Sequence, residues 1–210
     1  GTFEAWIRPH FNLNPDNVPQ TESRGKFNHA LFTVKGNGGE LGFYWNIDDK
    51  GMRVYTKRGL LEVPFCMSTH NPLTEGKWHH VAFTWGDRIR IFIDGVLGAE
   101  KPWNGTIDGG LTGGEILVGA YGDTCDFDID SMRISSVPRE SFDLNTPVER
   151  DDKTLVLDRF NTKDGQLTEP EAGLRSYVTN GVSISDGKQG SAYALYQPLQ
   201  NKISVMDKLA

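Results

Sequence analysis

The sequence of 210 residues lacks any cluster of basic residues and any long hydrophobic run. Its formal net charge is −6, and without a stripe of Lys or Arg it has little to neutralise nucleic-acid phosphates, so a nucleic-acid partner is not expected. No apolar stretch approaches the roughly 18 residues of a membrane-spanning helix, so membrane insertion is not expected either. Long stretches rich in Ala, Leu, Glu and Lys are also missing, which excludes a helical bundle.

The sequence contains two cysteines, Cys66 and Cys125. Neither belongs to a C-x-x-C pair, which argues against a metal site built on thiolates. A disulfide between them would close a loop of about 60 residues and stabilise the fold by about 4 kcal/mol in the chain-entropy estimate. Two buried thiols are the alternative.

Glycine and aromatic residues are abundant by contrast. The chain has 24 glycines and 10% aromatic residues, a balance that favours strands and turns over helices. Its length is that of one large domain rather than two, and a chain of this size can bury a substantial core.

Apolar and polar residues alternate with a period of two through most of residues 1–135, which is the pattern of half-buried strands. In the first segment Phe3, Ala5 and Ile7 are expected to face a core, and the dipeptide Asp94-Gly95 is a strong signal for a hairpin turn. Many short strands of this kind predict an antiparallel sandwich or barrel. The strands are predicted at Leu41–Asn46, Met52–Thr56, Leu60–Phe65, Val81–Trp85, Arg88–Asp94, Glu115–Ala120 and Phe127–Ile134.

Two polar segments interrupt this pattern. Residues 12–28 are rich in Pro and Asn and predict a long surface loop, and residues 136–153 are a Pro- and charge-rich candidate linker. After the linker, Thr154–Arg159 and Ile203–Met206 are predicted as strands. The sequence between these two strands indicates weak structure.

Three ordered segments resemble the successive strands of a known family. They are similar to strands of laminin G-like domains in the concanavalin A-like lectin/glucanase superfamily. The resemblance implies an all-β fold, a two-sheet antiparallel jelly-roll sandwich, and one domain over residues 1–210. The three segments are GTFEAWIRP at the start, GKWHHVAFTWGDRIRIFIDGVLG at 76–98 and EILVGAYGDTCDFDIDSMRISSVPR at 115–139.

The C-terminal part resembles the same family in an unexpected position. TLVLDRFNTKDG at 154–165 and GKQGSAYALYQPLQNKISV at 187–205 are similar to the opening strands of such a domain, which normally come first. We therefore expect residues 1–135 to supply the main strands and residues 154–210 to supply the opening strands in circularly permuted order. A strand-exchanged homodimer, and the start of a following domain, are the alternatives.

Asp126, Asp128 and Asp130 occupy every second position of one predicted strand, so they are expected to share a face about 7 Å apart. Three like charges repel one another unless a cation or solvent separates them. The family resemblance implies a structural calcium ion, Ca²⁺, bound near Asp130 and Asp158, with Asp128 as a further candidate ligand. The alternative is a solvated edge at which Asp130 caps a turn.

The same three carboxylates are also similar to the catalytic strand of glycoside hydrolases that share this fold, in which paired carboxylates perform the reaction. On a regular strand the outer two would lie about 13 Å apart, so only a bulge could make them converge. The adjoining MRIS sequence fits the laminin G-like pattern better. An enzyme is therefore not expected, and no catalytic residues are predicted.

Side chains on the face opposite the predicted core are candidates for a carbohydrate-binding surface. An aromatic ring stacks on the C–H face of a sugar, and planar cationic groups donate hydrogen bonds to hydroxyls or a carboxylate. We expect one of the two tryptophans to be partly exposed near an Arg or His of this set. The alternative is that these side chains only cover the sheet or pack under a loop. The candidates are Trp6, Arg8, His80, Arg90 and Trp103.

These patterns together predict a non-catalytic, extracellular or cell-surface, lectin-like module of a larger protein, with a glycan or polysaccharide as its partner. The sequence has no metalloprotease, serine-hydrolase, P-loop or dinucleotide-binding motif, so nucleophilic and cofactor chemistry have no visible support. A protein-binding or structural spacer in an adhesive array is the first alternative. A polysaccharide-cleaving enzyme is the second.

Overall fold

The regular structure of this chain is β-strand throughout the described residues, which confirms the predicted all-β class. None of them forms a helix long and apolar enough to cross a membrane. The predicted loop at 12–28 lies outside the described residues, apart from Leu13 and Asn28. The computed structural model describes residues 1–11, 13, 28–36, 38–46, 48–58, 62–70, 73–103, 115–119, 125–164, 166–173, 177–179, 183–196 and 202–206.

Seventeen strands occur in the described part of the chain. In chain order they are β1 (Thr2–Pro9), β2 (His29–Lys35), β3 (Gly39–Asn46), β4 (Gly51–Arg58), β5 (Glu62–Ser68), β6 (His79–Thr84), β7 (Arg88–Ile93), β8 (Val96–Pro102), β9 (Glu115–Gly119), β10 (Asp126–Ser135), β11 (Thr154–Asp158), β12 (Thr162–Lys163), β13 (Gln166–Leu167), β14 (Tyr177–Thr179), β15 (Ser183–Asp186), β16 (Ser191–Tyr196) and β17 (Lys202–Met206).

These strands form two large antiparallel sheets and the small hairpin β12–β13. The first sheet has the order β15-β16-β10-β1-β6-β7-β8, and β11 also pairs with β10. The second sheet has the order β14-β17-β9-β2-β3-β4-β5. The arrangement confirms the predicted two-sheet antiparallel jelly-roll sandwich.

Alternating side chains of both sheets meet in one core. Phe3 of β1 packs against Phe32 of β2 with ring centroids 4.4 Å apart, and Ile7 points into the same core, as the alternation predicts. Burying each large apolar side chain stabilises the fold by roughly 1.5–3 kcal/mol. Cys125 also lies in the core, whereas the side chain of Cys66 lies outside the described residues, so the disulfide stays a prediction.

The hairpin between β7 and β8 forms where the sequence predicts it. Asp94 and Gly95 adopt φ values of 50° and 73°, the left-handed conformation that an Asp-Gly turn favours. Asp94 also accepts a hydrogen bond from the backbone N–H of His80 at 2.9 Å, which fixes the turn against β6.

Strands β2 and β8 were not predicted from the sequence. A register shift between Ala30 and Phe32 breaks the alternation in β2, because a bulge changes which side chains face the core. Strand β8 is an exposed edge strand, so it has no buried apolar face whose alternation would have predicted it. Both strands depend on tertiary pairing more than on local pattern.

Residues 154–206 add strands to both sheets of the same chain. β11 and β16 pair with β10, and β17 pairs with β9. β15 and β16 lie in the segment whose sequence indicates weak structure. These strands cover edges of β9 and β10 that would otherwise be unpaired. The permuted strand order and the strand-exchanged dimer stay predictions, and Ala210 lies outside the described residues.

Residues 136–153, here called the strap, lie over the outer face of the first sheet, the face directed away from the core. The two ends of the strap lie together, because the N–H of Ser136 donates to the carbonyl of Lys153 at 2.9 Å. In between, the ring of Phe142 lies 5.1 Å from that of Phe92 on β7. The strap therefore returns the chain to β10, beside which β11 begins.

Candidate functional site

The carbohydrate-binding face predicted on the first sheet is covered by the strap. Trp6 and His80 lie opposite each other on β1 and β6 and are only 5% and 1% exposed. Their rings pack edge to face at 5.5 Å, and Phe142 lies 5.0 Å from the His80 ring. Trp6 and His80 are therefore packed within the protein, which is the alternative that the sequence left open, and sugar binding by them stays a prediction.

A buried charged cluster fixes the strap to this face. Nη2 of Arg133 lies 2.6 Å from Oε1 of Glu4, and Nε2 of His80 lies 3.1 Å from Oε2 of the same carboxylate. Nη1 of Arg133 donates to the backbone carbonyl of Glu149 in the strap at 2.8 Å. Glu4, Arg133 and His80 Nε2 therefore bind one another and the strap, whereas Nδ1 of His80 has no hydrogen-bond partner among the described residues.

The other predicted sugar-binding residues also have partners within the protein. Nε of Arg8 donates to Asp128 at 2.7 Å, and Arg90 forms an ion pair with Glu100. Trp103 is half-buried and packs against the core, so it meets the expectation of partial exposure. Glycan binding by these residues stays a prediction, but they do not share one open surface with Trp6 and His80.

The three carboxylates predicted to bind calcium have different environments. Burial disfavours ionisation of Asp128, but hydrogen bonds and charges of His10 and Arg8 outweigh it, so its pKa is lowered. Burial raises the pKa of Asp130, opposed in part by the backbone N–H of Gln189, which donates at 2.8 Å. The two carboxylates therefore have different neighbours: Asp128 lies beside cationic side chains, whereas Asp130 is bonded by a backbone N–H.

Asp130 and Asp158 already accept hydrogen bonds from within the protein. The carboxylate of Asp158 accepts a hydrogen bond from the N–H of Phe160 at 2.9 Å, and Asp130 accepts one from the hydroxyl of Ser131 at 3.0 Å. Within the described ranges, no group of three or more His, Cys, Asp or Glu side chains is placed to hold a metal ion. Calcium binding by Asp130 and Asp158, with Asp128 as a further ligand, stays a prediction.

The carboxylates of β10 do not form an open catalytic groove. β10 has a bulge opposite the step from Glu4 to Trp6, where Ser131 adopts φ of 50°, so the bulge lies beyond Asp130 rather than between the carboxylates. Asp128 and Asp130 are 1% and 0% exposed. A substrate therefore cannot reach these two side chains in the observed conformation.

The outer face of the second sheet carries a different group of side chains. On β3 the core positions alternate with Gly42 and Tyr44, and on β4 they alternate with Arg53 and Tyr55. The antiparallel register places Gly42 opposite Tyr55 and Tyr44 opposite Arg53. We call this group of four residues the aromatic corner.

The two tyrosines of the aromatic corner stand at right angles. The ring of Tyr55 extends across the sheet over Gly42, where a Cβ atom would collide with Cε1, Cζ and the hydroxyl oxygen of that ring. Tyr44 meets it edge-on, with centroids 5.3 Å apart and an interplanar angle of 85°. Both tyrosines are partly exposed, and the ring of Tyr55 lies over the neighbouring strand with Tyr44 beside it.

Hydrogen bonds hold the polar side of the corner in place. Nε of Arg53 donates to Oδ2 of Asp49 at 2.6 Å and to the hydroxyl of Ser68 at 3.2 Å. Burial disfavours ionisation of Asp49, but hydrogen bonds from Ser68 and Arg53 and the charge of Arg53 outweigh it, so its pKa is lowered. The hydroxyl of Tyr55 donates to Oε1 of Glu40. The corner therefore presents an ionised carboxylate and a guanidinium beside two aromatic rings.

Sequence reasoning identified the strands of the aromatic corner but not the corner itself. The alternation in Leu41–Asn46 and Met52–Thr56 already assigns Gly42, Tyr44 and Tyr55 to the face opposite the core. That signal does not show which outward residues are neighbours. The pairing register of β3 with β4 supplies this information.

Comparison with models of known protein families identifies the family of this chain. A laminin G-like family model of the concanavalin A-like lectin/glucanases superfamily matches residues 1–143 of this 210-residue chain. The chain belongs to this laminin G-like family. Membership confirms the resemblance found in the sequence and agrees with the two-sheet fold. Because the superfamily contains both lectins and glucanases, membership does not decide between binding and cleavage.

Two solved structures resemble this laminin G-like chain. A galectin from Caenorhabditis elegans is 16% identical, with a TM-score of 0.39 over 60% of this chain and 78% of the galectin. A protein from Bacteroides ovatus described as carbohydrate-binding is 14% identical, with a TM-score of 0.47 over 99% of this chain and 54% of that protein. The chain thus spans about half the length of the Bacteroides protein. No curated protein sequence matches it.

Proposed function

We propose that this laminin G-like chain is a non-catalytic carbohydrate-binding module of a larger extracellular or cell-surface protein, and that it binds a glycan at the aromatic corner. The observation that carries the proposal is the partly exposed ring of Tyr55, which lies over Gly42 with Tyr44 standing beside it. Membership of a superfamily of lectins and glucanases supports a saccharide ligand. The extracellular location rests on the laminin G-like resemblance alone.

The chemistry of the corner suits a sugar ring. A pyranose has an apolar C–H face that stacks on an aromatic ring, and hydroxyl groups at its edge that both donate and accept hydrogen bonds. Tyr55 offers the ring surface, and Arg53 and Asp49 offer donors and acceptors on the same side of the sheet. Because packing and hydrogen bonds already fix these side chains, little side-chain entropy would be lost on binding.

The ionisation of the carboxylates supports binding rather than cleavage. Glycoside hydrolysis needs a carboxylic acid of raised pKa next to a second carboxylate that acts as nucleophile or base. At the corner, Asp49 has a lowered pKa, so it is ionised at neutral pH and accepts hydrogen bonds. Asp130 has a raised pKa but is fully buried. Neither carboxylate is suited to donate a proton to a bound glycan.

The proposal is tested by a glycan array probed with the full chain, once with calcium and once with EDTA, followed by calorimetric titration of the strongest glycan. We expect Tyr55→Ala to weaken binding about fivefold or more, since truncating an aromatic anchor costs an interface about 1 kcal/mol or more. Tyr44→Ala should weaken binding less, because Tyr44 would contact the ligand from the side and would not stack on it.

Two control variants make the result specific. Leu97→Ala removes an exposed apolar side chain on the edge strand β8, where 48% of Leu97 is exposed, and should leave binding unchanged. Trp103→Ala tests the tryptophan predicted from sequence. Loss of binding in Trp103→Ala with normal binding in Tyr55→Ala would move the site away from the corner. Absence of binding to every glycan would favour the spacer function instead.

A further inference from the structure

We infer that the aromatic corner selects neutral sugars that carry two adjacent free hydroxyl groups, and that Asp49 and Arg53 together recognise this diol. The inference rests on the proposed function and names the chemical class of its ligand. The inference follows from the pairing, exposure and charge of these two residues, which lie beside the ring of Tyr55.

Asp49 and Arg53 form one partly exposed ion pair. Nε of Arg53 donates to Oδ2 of Asp49 at 2.6 Å, and the side chains are 23% exposed for Arg53 and 29% exposed for Asp49. Among the described residues, Ser68 also donates to Oδ2 of Asp49. Both donors act on the same oxygen, which leaves the lone pairs of Oδ1 for the hydroxyl group of a ligand.

A vicinal diol matches an ion pair of this kind. One hydroxyl donates to the carboxylate, and its neighbour accepts from the guanidinium, so the donor and the acceptor of the pair are both used. Arg53 and Tyr55 are two residues apart on the same face of β4, about 7 Å along the strand, so one sugar ring can stack on Tyr55 and reach Arg53.

An acidic sugar matches the pair less well. Its carboxylate offers acceptors only, so it could bind the guanidinium of Arg53 but would meet the like charge of Asp49, which is ionised because its pKa is lowered. Lys35 and Lys57 lie on the same face, but they flank Glu40 on the neighbouring strands, so their charge is partly compensated there. These two lysines make an acidic glycan the competing outcome.

The test measures binding of neutral and acidic disaccharides to the full chain by calorimetric titration. The neutral probes are lactose, cellobiose and mannobiose, and the acidic probes are 3′-sialyllactose and digalacturonic acid. We expect the strongest binding from a neutral probe, with an affinity that changes less than twofold between about 50 and 500 mM salt, because no net charge is neutralised. A monodeoxy analogue that lacks one hydroxyl of the diol should bind about tenfold more weakly.

Asp49→Asn should change the affinities for neutral and for acidic sugars in opposite directions. For a neutral diol it removes a charged acceptor, so affinity should fall about tenfold. For an acidic sugar held by Arg53 it removes a competing carboxylate, so affinity should rise. Asp152→Asn, in the strap, is the matched control, because it removes one exposed carboxylate elsewhere and should change neither affinity. Thermal unfolding of each variant shows whether it is folded.

The outcomes distinguish this inference from the proposed function. Binding of acidic probes alone, weakened by salt and strengthened by Asp49→Asn, overturns the neutral diol and leaves glycan binding at the corner intact. Binding of a neutral probe that Asp49→Asn does not weaken also overturns it. Failure of every probe to bind, with another glycan of the array bound in a way that Tyr55→Ala weakens, overturns the inference and leaves the proposed function intact. Failure of every glycan on the array overturns both.

Discussion

The ring of Tyr55 occupies the space above Gly42, on the strand next to its own. The absence of a side chain at residue 42 therefore lets the aromatic ring lie over the sheet instead of standing upright from it. Residue 42 is where the shape of the proposed binding surface is most easily changed without removing any of its chemical groups.

We expect Gly42→Ala to weaken glycan binding several-fold. The new Cβ would collide with ring atoms at the far end of Tyr55, so the ring must lift from the sheet, while the aromatic and polar groups all remain. Calorimetric titration against the strongest array glycan measures the effect. Gly86→Ala is the matched control, because its Cβ would meet Pro138 at an ordinary 3.5 Å. Equal affinities of the two variants would contradict the role of the Tyr55 ring.

We expect His29 to make the fold less stable in acid. Burial lowers its pKa to about 3, so its contribution to the free energy of unfolding is fully present above the unfolded pKa of about 6.5 and is lost as the pH falls. The slope approaches about 1.4 kcal/mol per pH unit below pH 6. His29→Phe keeps the stacking on Phe11, seen at 3.7 Å, and should flatten this dependence in denaturant unfolding between pH 4 and 7.

His10 should change the pH dependence of stability in the opposite direction, so it serves as the comparison for His29. A hydrogen bond to Asp128 raises its pKa, so its contribution is fully present below about pH 6.5 and is lost as the pH rises through the raised value. His10→Asn should therefore differ most from the parent protein near pH 5 and least near pH 8. Parallel stability curves for the parent and both variants would show that neither histidine behaves as described.

The calcium prediction is tested at Asp130. If calcium binds there, Asp130→Asn should lower the melting temperature far more in calcium than in EDTA, because the variant loses one charge of the metal site. Asp152→Asn is the control for removal of an exposed carboxylate. An equal change in calcium and in EDTA would mean that Asp130 only anchors the backbone N–H of Gln189, the hydrogen bond seen at 2.8 Å.

A chain that ends at Glu149 should not fold as a stable monomer. It lacks β11, β16 and β17, so β10 and β9 each lose a neighbouring strand, and each unpaired buried backbone group costs about 1–3 kcal/mol. We expect circular dichroism and light scattering to show loss of structure or self-association. A truncated chain that is monomeric, folded and as stable as the full chain would contradict the need for the C-terminal strands.

The sequence by itself determined the fold class and the faces of many strands. Alternation places Phe3 and Ile7 inside and Trp6 outside, and strand β1 of the first sheet confirms this assignment. The reason is that a strand turns successive side chains to opposite faces, so the inside positions follow from local pattern alone. The Asp94-Gly95 hairpin was determined in the same local way, because few residue pairs adopt that turn without strain.

Only the tertiary structure decided which outward faces stay open. Trp6 and Tyr55 both lie outside the core, but His80 and the distant Lys188 pack against Trp6 and leave it 5% exposed, while Tyr55 remains partly exposed over Gly42. A strand's alternation distinguishes inside from outside and contains no information about a distant segment that covers the outside. Neighbours across strands, such as Tyr44 and Arg53, depend on the pairing register, which is set by the packing of the whole sheet.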